Sequence, residues 1–193
     1  MPRRKTIFSI GYFYHIYNKA VSDNQLFLNH DNYQFFQERM RLHLHPIGEI
    51  LAYCLMPNHY HVLLELNQTT LSAAMQKLAL SYTVPFNHVY GRTGHLFQGR
   101  FQAKHVTDTQ YLVHLSRYIH LNPKAANLVK YAEEWKYSSL LEYYGMRSDQ
   151  MVNTDVILEI LADTDNINLQ KKQQRYRKFI DSWDPAYMEF KQK

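Results

Sequence analysis

Two histidines stand one residue apart in the apolar segment HYHVLLEL, which spans residues 59–66. Side chains two residues apart on a β-strand lie on the same face, so His59 and His61 would point in the same direction. Imidazole nitrogen is a common ligand of divalent metal ions, and two neighbouring rings can hold one ion. The spacing therefore suggests a metal site, although two such histidines can also be partly buried or exposed side chains without a ligand.

The spacing indicates a shared metal site only if the two histidines lie on a β-strand. The chain contains 11 histidines, so two of them one residue apart arise easily by chance. His43 and His45 have the same spacing within a helical pattern. A step of two residues turns an α-helix by roughly 200°, so those two rings face apart and cannot share an ion.

A third group that could join the histidines comes from the segment SRYIHLNP, residues 116–123. Tyr118 and Asn122 are four residues apart, which makes them neighbours on one face of a helix. They lie along the edge of an apolar stripe, so a helix docked beside the sheet could carry them to the histidine pair. The plainer interpretation is that Tyr118 packs at the margin of the core and Asn122 helps to end the helix before Pro123.

The elements that would position these residues follow one another in a simple order. Runs of β-branched and aromatic residues predict strands, and apolar residues spaced by three and four predict helices. The segments read as strand 6–18, helix 30–45, strands 48–56 and 59–66, helix 69–91, a strand within 91–106 and helix 109–122. This is the ferredoxin-like βαββαβ plan, an α+β fold in which an antiparallel sheet has its helices on one face. We expect the opposite face to carry the site and a C-terminal helical extension to follow.

The composition indicates a globular protein with a modest excess of positive charge. The 193 residues include 22 Lys and Arg against 17 Asp and Glu, which gives a net charge of +5. This surplus favours a polyanionic partner without establishing one. A single cysteine, Cys54, excludes a disulfide framework. No signal peptide or membrane-spanning run is evident, so we expect a cytoplasmic protein without a membrane partner.

We expect two parts along the chain. Residues 1–145 would form one domain that carries the site, and residues 146–193 would form a basic helical tail. That tail contains the run QKKQQRYRKF at residues 170–179. A basic helix face is usually only solvated, so contact between the tail and a DNA stem is a hypothesis.

A glycine-rich stretch, GRTGHLFQGRFQAKHV at residues 91–106, reads as a hairpin arm that runs into a strand. Cations in such an arm can hold phosphates while rings stack on unpaired bases, so the arm predicts contact with a folded or single strand of nucleic acid. An ordinary solvated hairpin is the alternative. The candidate DNA-binding residues are Arg92, His95, Phe97, Arg100, Phe101 and Lys104.

Four separated segments, in order, resemble the single-tyrosine HUH transposases, in the branch of the REP-associated tyrosine transposases and their insertion-sequence relatives. The segments are YCLMPNHYHVLLEL, GRTGHLFQGRFQAKHV, LSRYIHLNPKAANLV and WKYSSLLEYYG. The resemblance implies that Tyr118 is the nucleophile and that His59, His61 and Asn122 hold a divalent ion, either Mg²⁺ or Mn²⁺. It further implies cleavage of hairpin-bearing single-stranded DNA through a 5′-phosphotyrosine link.

Several alternatives stay open. A DNA-hairpin binding protein that no longer cuts would share the fold, and an RNA-recognition sheet has the same order of elements. The RNA interpretation is the weakest, because no RNP-type run of glycine and aromatic residues is present. The chain could be a monomer or a homodimer, and the helix that bears Tyr118 could serve its own sheet or that of a partner.

Overall fold

The computed structural model describes residues 7–22, 24–163 and 166–182. Within these ranges the chain forms four strands and six α-helices, with short 3₁₀ helices at His45–Ile47 and Ala132–Glu134. The elements are β1 (Phe13–Lys19), α1 (His30–Leu44), β2 (Gly48–Met56), β3 (His59–Leu66), α2 (Leu71–Val89), β4 (Gln102–Val106), α3 (Thr109–Ala125), α4 (Leu140–Tyr143), α5 (Asp155–Ala162) and α6 (Leu169–Asp181).

The four strands form one antiparallel sheet in the order β2-β3-β1-β4. This confirms the predicted ferredoxin-like plan. Strand β3 is an interior strand, with β2 on one side and β1 on the other. Its alternation is as predicted, because Tyr60, Val62 and Leu64 enter one hydrophobic core while Leu63 enters a second core on the other face.

Helices α1 and α2 cover one face of the sheet, as the βαββαβ order predicts. Their buried side chains, including Phe36, Met40, Leu78 and Tyr82, form the first core together with the strands. Helix α2 continues through Pro85 to Val89.

The opposite face is only partly open, which modifies the expectation that it would be left free for a site. Helix α3 packs mainly on β2, and α5 and α6 pack on α3. Leu51 and Leu63 of the sheet and Leu112 and Ile119 of α3 belong to this second core. Strands β1 and β4 and part of β3 therefore form the floor of a cleft, and α3 forms its wall.

A buried polar network fixes helix α3. The imidazole of His120 is fully buried, with Nδ1 2.8 Å from the hydroxyl of Tyr176 and Nε2 2.7 Å from the hydroxyl of Ser139. The hydroxyl of Ser116 lies 2.9 Å from the Tyr176 hydroxyl. Burial lowers the pKa of His120 to about 3, so the ring is neutral and offers one donor and one acceptor nitrogen. The network joins α3 to α6 and to the segment that precedes α4.

The C-terminal helices α5 and α6 pack against helix α3. Arg117 of α3 donates a hydrogen bond of 2.8 Å to the carbonyl of Phe179, and its guanidinium carbon lies 3.9 Å from the centre of the Phe179 ring. Tyr176 and Ile180 of α6 are buried in the second core. Residues 183–193 of the predicted tail lie outside the described residues. None of the helices in the described part of the chain combines the length and apolar composition that a membrane span requires.

Candidate active site

The histidine pair lies side by side on the cleft face of β3. The ring centroids of His59 and His61 are 5.1 Å apart, and the rings are nearly perpendicular. His61 is buried and His59 is half-buried. The strand geometry therefore brings the two imidazoles together, as their spacing predicted.

Each imidazole of the pair is held through its Nδ1 atom. Nδ1 of His59 lies 2.7 Å from the side-chain oxygen of Asn58, and Nδ1 of His61 lies 2.9 Å from Nε2 of His15 on β1. The Asn58 oxygen is an acceptor, so His59 donates from Nδ1 and its Nε2 keeps a lone pair. In both rings Nε2 is the nitrogen left for a ligand.

Asn122 of α3 completes a group of three possible ligands. Its side-chain amide donates a hydrogen bond of 3.1 Å to the carbonyl of Tyr118. The amide nitrogen is thereby engaged, so the oxygen is the group available to other partners. Burial lowers the pKa of His59, and a hydrogen bond with the Asn122 side chain acts in the opposite direction. Asn122 therefore lies close to His59.

Tyr118 faces the same pair from the wall of the cleft. Its ring lies edge-on to the ring of His61, with centroids 5.7 Å apart and planes at 70°. Tyr118 is half-buried, so its side chain is accessible from the cleft. The tyrosine, the two imidazoles and the amide thus come together within a single chain.

The cleft beside Tyr118 has a volume of about 180 Å³. Strand β4 contributes an exposed cation, Lys104, which lies opposite His15 in the register of β1 and β4. Tyr17 faces His61 across the ladder of β1 and β3. The lining residues are His15, Tyr17, His61, Lys104, Tyr111, Leu115 and Tyr118. The cleft therefore combines aromatic walls with one positive charge from Lys104.

The environment keeps the imidazoles neutral. Burial, together with the positive charge of Lys104, lowers the pKa of His15 to about 4. Burial and the neighbouring His15 and His59 hold the pKa of His61 well below its usual value. Neutral imidazoles keep the lone pairs that a metal ion requires.

The donor set fits a divalent cation with mixed ligands. Two neutral imidazole nitrogens and one amide oxygen suit Mn²⁺ and are also compatible with Mg²⁺. Across residues 7–22, 24–163 and 166–182, no group of three or more His, Cys, Asp or Glu side chains is arranged to hold a metal ion. The third ligand of the predicted set is an amide, so it falls outside that class of side chains.

The residues of the predicted arm do not share one role. Phe97 and Phe101 are only 8% and 9% exposed and pack in the first core. In this structure both rings are therefore packed inside the protein and are not presented to solvent. The arm is also not a separate hairpin, because the backbone amide of Val21 donates to the carbonyl of Leu96 and that of Gln98 donates to Lys19.

The polar residues of the arm differ in their surroundings. Arg92 donates a hydrogen bond of 3.3 Å to the side chain of Asn24 and is partly buried. His95 and Arg100 are exposed. Lys104 is the member of the predicted set that lines the cleft beside Tyr118.

Sequence reasoning missed His15 and Tyr17. Both belong to the strand that pairs with the histidine-bearing strand, and both point into the cleft. The signal was present in YFYHIYNK, residues 12–19, where a histidine and a tyrosine stand two residues apart. The ferredoxin-like order places β1 beside β3, so this alternation could have identified the pair.

Comparisons with known proteins agree with this fold. The family model described as "Transposase IS200 like" matches residues 12–122, which make up more than half of the chain and include His59, His61, Tyr118 and Asn122. No curated protein matches the chain.

Several solved structures are similar to the chain, and they include the following two. One is a REP-associated tyrosine transposase bound to a REP hairpin, with a TM-score of 0.64 and 18% identity over 87% of this chain and 100% of that one. The other is a tRNA(His) guanylyltransferase from Saccharomyces cerevisiae, with a TM-score of 0.47 and 9% identity over 96% of this chain and 86% of that one. The second likeness is too low to support a conclusion. The first agrees in fold with the family match, and the chain belongs to the IS200-like transposase family.

Proposed function

We propose that this transposase is a metal-dependent endonuclease and strand transferase that acts on hairpin-bearing single-stranded DNA. Tyr118 would be the nucleophile. The observation that carries the proposal is the convergence of Tyr118, His59, His61 and Asn122 at one cleft of one chain. Pure DNA binding requires no such arrangement.

The reaction exchanges one phosphate ester for another. The phenol oxygen of Tyr118 attacks the phosphorus and forms a tyrosyl ester with the 5′-phosphate. The bond from phosphorus to the 3′-oxygen breaks, the phenol gives up its proton, and the leaving 3′-oxygen gains one. Because the energy of the ester bond is conserved, the strand can be rejoined without ATP.

The imidazoles of His59 and His61 and the amide of Asn122 would hold a Mg²⁺ or Mn²⁺ ion. When bound, such an ion neutralises charge on the phosphate and stabilises the transition state. His59 and His61 would present Nε2, because Nδ1 of each ring is engaged. Asn122 would present its oxygen, because its amide nitrogen donates to Tyr118. These three side chains would thereby supply two nitrogen ligands and one oxygen ligand beside Tyr118.

Lys104 would contact a phosphate beside the scissile bond, since its cation lines the cleft that holds Tyr118. The exposed His95 and Arg100, with Arg92, would contact the strand farther out. Arginine and lysine side chains bind phosphates without regard to sequence. The structural neighbour in complex with a REP hairpin supports a folded DNA substrate for this chain. We propose that this action takes place in the cytoplasm, a reducing compartment that suits a chain whose fold uses no disulfide.

Labelled DNA tests the proposal. Hairpin-bearing single strands carrying a label at either the 5′ or the 3′ end are incubated with the full chain and Mn²⁺, and the products are separated under denaturing conditions. We expect the 3′-labelled fragment to stay attached to protein and the 5′-labelled fragment to be released with a free 3′-hydroxyl. EDTA should abolish both products.

A fully paired duplex of the same sequence is the matched substrate control and should not be cut. Binding of the hairpin strand without any cleaved product would contradict the proposal. That outcome would favour a DNA-hairpin binding protein that no longer cuts.

A further inference from the structure

We propose that His15 is a positioning residue that fixes the tautomer of His61. By accepting a hydrogen bond from Nδ1 of His61, it would leave Nε2 of that ring as an unprotonated ligand. The inference rests on the metal centre of the proposed function and adds a residue to it. His15 itself would not contact the ion or the DNA.

The backbone holds the two rings in register. Strands β1 and β3 pair through Ile16 opposite Val62 and Tyr17 opposite His61. This pairing sets Nε2 of His15 2.9 Å from Nδ1 of His61, with the rings stacked at 27° and their centroids 5.1 Å apart. Both residues are 8% exposed.

The hydrogen bond matters because a neutral imidazole carries a single N–H proton. For Nε2 of His61 to serve as a ligand, that proton must be on Nδ1, and Nδ1 must then find an acceptor. His15 Nε2 is the acceptor at hydrogen-bond distance. Such partners orient metal-binding histidines and raise their basicity, and their loss typically weakens metal binding by about 10- to 100-fold.

His15 does not fit the role of a third metal ligand. Its Nε2 is already engaged with His61. Across the described residues, His15, His59 and His61 do not form a three-histidine group that could hold an ion. A supporting role for His61 is the interpretation that agrees with both observations.

Asn58 provides a comparison, because it accepts a hydrogen bond from Nδ1 of His59, which is the role that we assign to His15 at His61. Its side-chain oxygen lies 2.7 Å from Nδ1 of His59, but Asn58 is exposed in the turn that precedes β3. Water can replace an exposed acceptor, whereas a buried Nδ1–H without a partner is costly. Removing His15 should therefore weaken metal binding more than removing Asn58.

The experiment measures Mn²⁺ binding to the full chain without DNA, by the electron paramagnetic resonance signal of free Mn²⁺. We expect His15→Ala to weaken binding by about 10- to 100-fold. His15→Gln should restore most of the affinity, because its side-chain oxygen can also accept from Nδ1 of His61. Asn58→Ala should cause a smaller loss.

His105→Ala is the matched control. This exposed histidine is next to Lys104 on β4 but contacts Tyr12 and Tyr14, and Tyr14 belongs to the core on the opposite face of the sheet. Its removal should leave Mn²⁺ binding unchanged. Thermal unfolding of each variant identifies any that fails to fold. If His15→Ala fails to fold, the position of the His61 proton in the wild-type chain decides the test.

A second measurement does not depend on metal or on a variant. Long-range ¹H–¹⁵N NMR of the histidine side chains reports which ring nitrogen carries the proton, and we expect Nδ1 for His61 in the wild-type chain. A proton on Nε2 would overturn the inference. A His15→Ala variant that binds Mn²⁺ as tightly as the wild-type chain would also overturn the inference. That result would not contradict the proposed metal centre. Absence of Mn²⁺ binding by the wild-type chain would instead refute the metal centre, and the inference with it.

Discussion

The ring of Tyr118 on α3 lies edge-on to the ring of His61 on β3 of the same chain, with centroids 5.7 Å apart. Helix α3 reaches this position because it packs on β2, the immediate neighbour of β3. Within this one chain, the helix that bears Tyr118 therefore lies beside the strand that bears the imidazole pair.

Replacing Tyr118 by phenylalanine should abolish the covalent product while hairpin DNA is still bound, because only the attacking oxygen is lost. Tyr17→Phe is the matched control, since Tyr17 also lines the cleft and faces His61. That variant should still become linked to labelled DNA. An adduct that persists in Tyr118→Phe and disappears in Tyr17→Phe would transfer the role of nucleophile to Tyr17.

Replacing Lys104 by alanine should weaken the binding of single-stranded DNA and reduce the slope of log affinity against log salt by about 1, because one phosphate contact is lost. Binding is measured by fluorescence anisotropy at several salt concentrations. Lys77→Ala removes an equal charge from an exposed position on α2, on the opposite face of the sheet, and should leave the slope unchanged. Equal slopes for Lys104→Ala and wild type would remove Lys104 from the interface.

Replacing Phe97 by alanine should lower the free energy of unfolding by about 3–5 kcal/mol, because a buried ring is removed from the core. Urea denaturation measures this loss. His95→Ala, two residues away and exposed, should change stability by less than about 0.5 kcal/mol. If Phe97→Ala kept wild-type stability and instead lost DNA affinity, the ring would belong to the DNA interface after all.

Replacing Tyr176 by phenylalanine should lower the free energy of unfolding by about 1–3 kcal/mol, because His120 and Ser116 then lose a buried hydrogen-bond partner. The comparison is Tyr12→Phe, whose side chain is 48% exposed. Removing the exposed hydroxyl of Tyr12 should have little effect on the free energy of unfolding. Equal effects in the two variants would show that the buried network contributes nothing specific.

The free energy of unfolding should fall as the pH is lowered from 7 towards 4. Burial lowers the pKa of His15 to about 4 and that of His120 to about 3, and holds that of His61 well below its usual value. Between these values and the ordinary histidine pKa of about 6.5, the unfolded chain binds more protons than the folded chain, so acid favours unfolding.

One carboxyl group acts in the opposite direction. Burial raises the pKa of Glu142 to about 7, so its protonation favours the folded state as the pH falls through that value. The lowered pKa values of the three histidines change the free energy of unfolding more than the raised pKa of this single carboxyl group. Urea denaturation at pH 7, 6 and 5 measures the net effect, and constant or rising stability towards acid pH would contradict it.

The parts of the site that could be predicted are those set by local periodicity. The alternation of β3 places His59 and His61 on one face, and the four-residue helical step pairs Tyr118 with Asn122. Both patterns depend only on neighbours along the chain. The resemblance to a family was needed to predict that the histidine pair and the Tyr118–Asn122 pair lie together, because no local pattern specifies where α3 packs on the sheet.

The parts that sequence reasoning missed depend on contacts between distant segments. His15 reaches His61 only through the register of β1 with β3, which no single segment reveals. The backbone of Phe97 forms a bridge with Ala20, and its ring is buried in the core, which the glycine-rich segment 91–106 does not reveal by itself. Likewise, Pro123 does not end α3, which continues to Ala125.

The attachment of α6 to α3 also bears on the order in which a newly made chain matures. Residues 109–125 are synthesised before residues 169–181. Until then His120 and Ser116 lack the hydroxyl of Tyr176, and Arg117 lacks the carbonyl of Phe179. The helix that carries Tyr118 therefore gains its last internal support late in translation, and a polypeptide that stops before α6 holds its tyrosine less firmly than the finished protein.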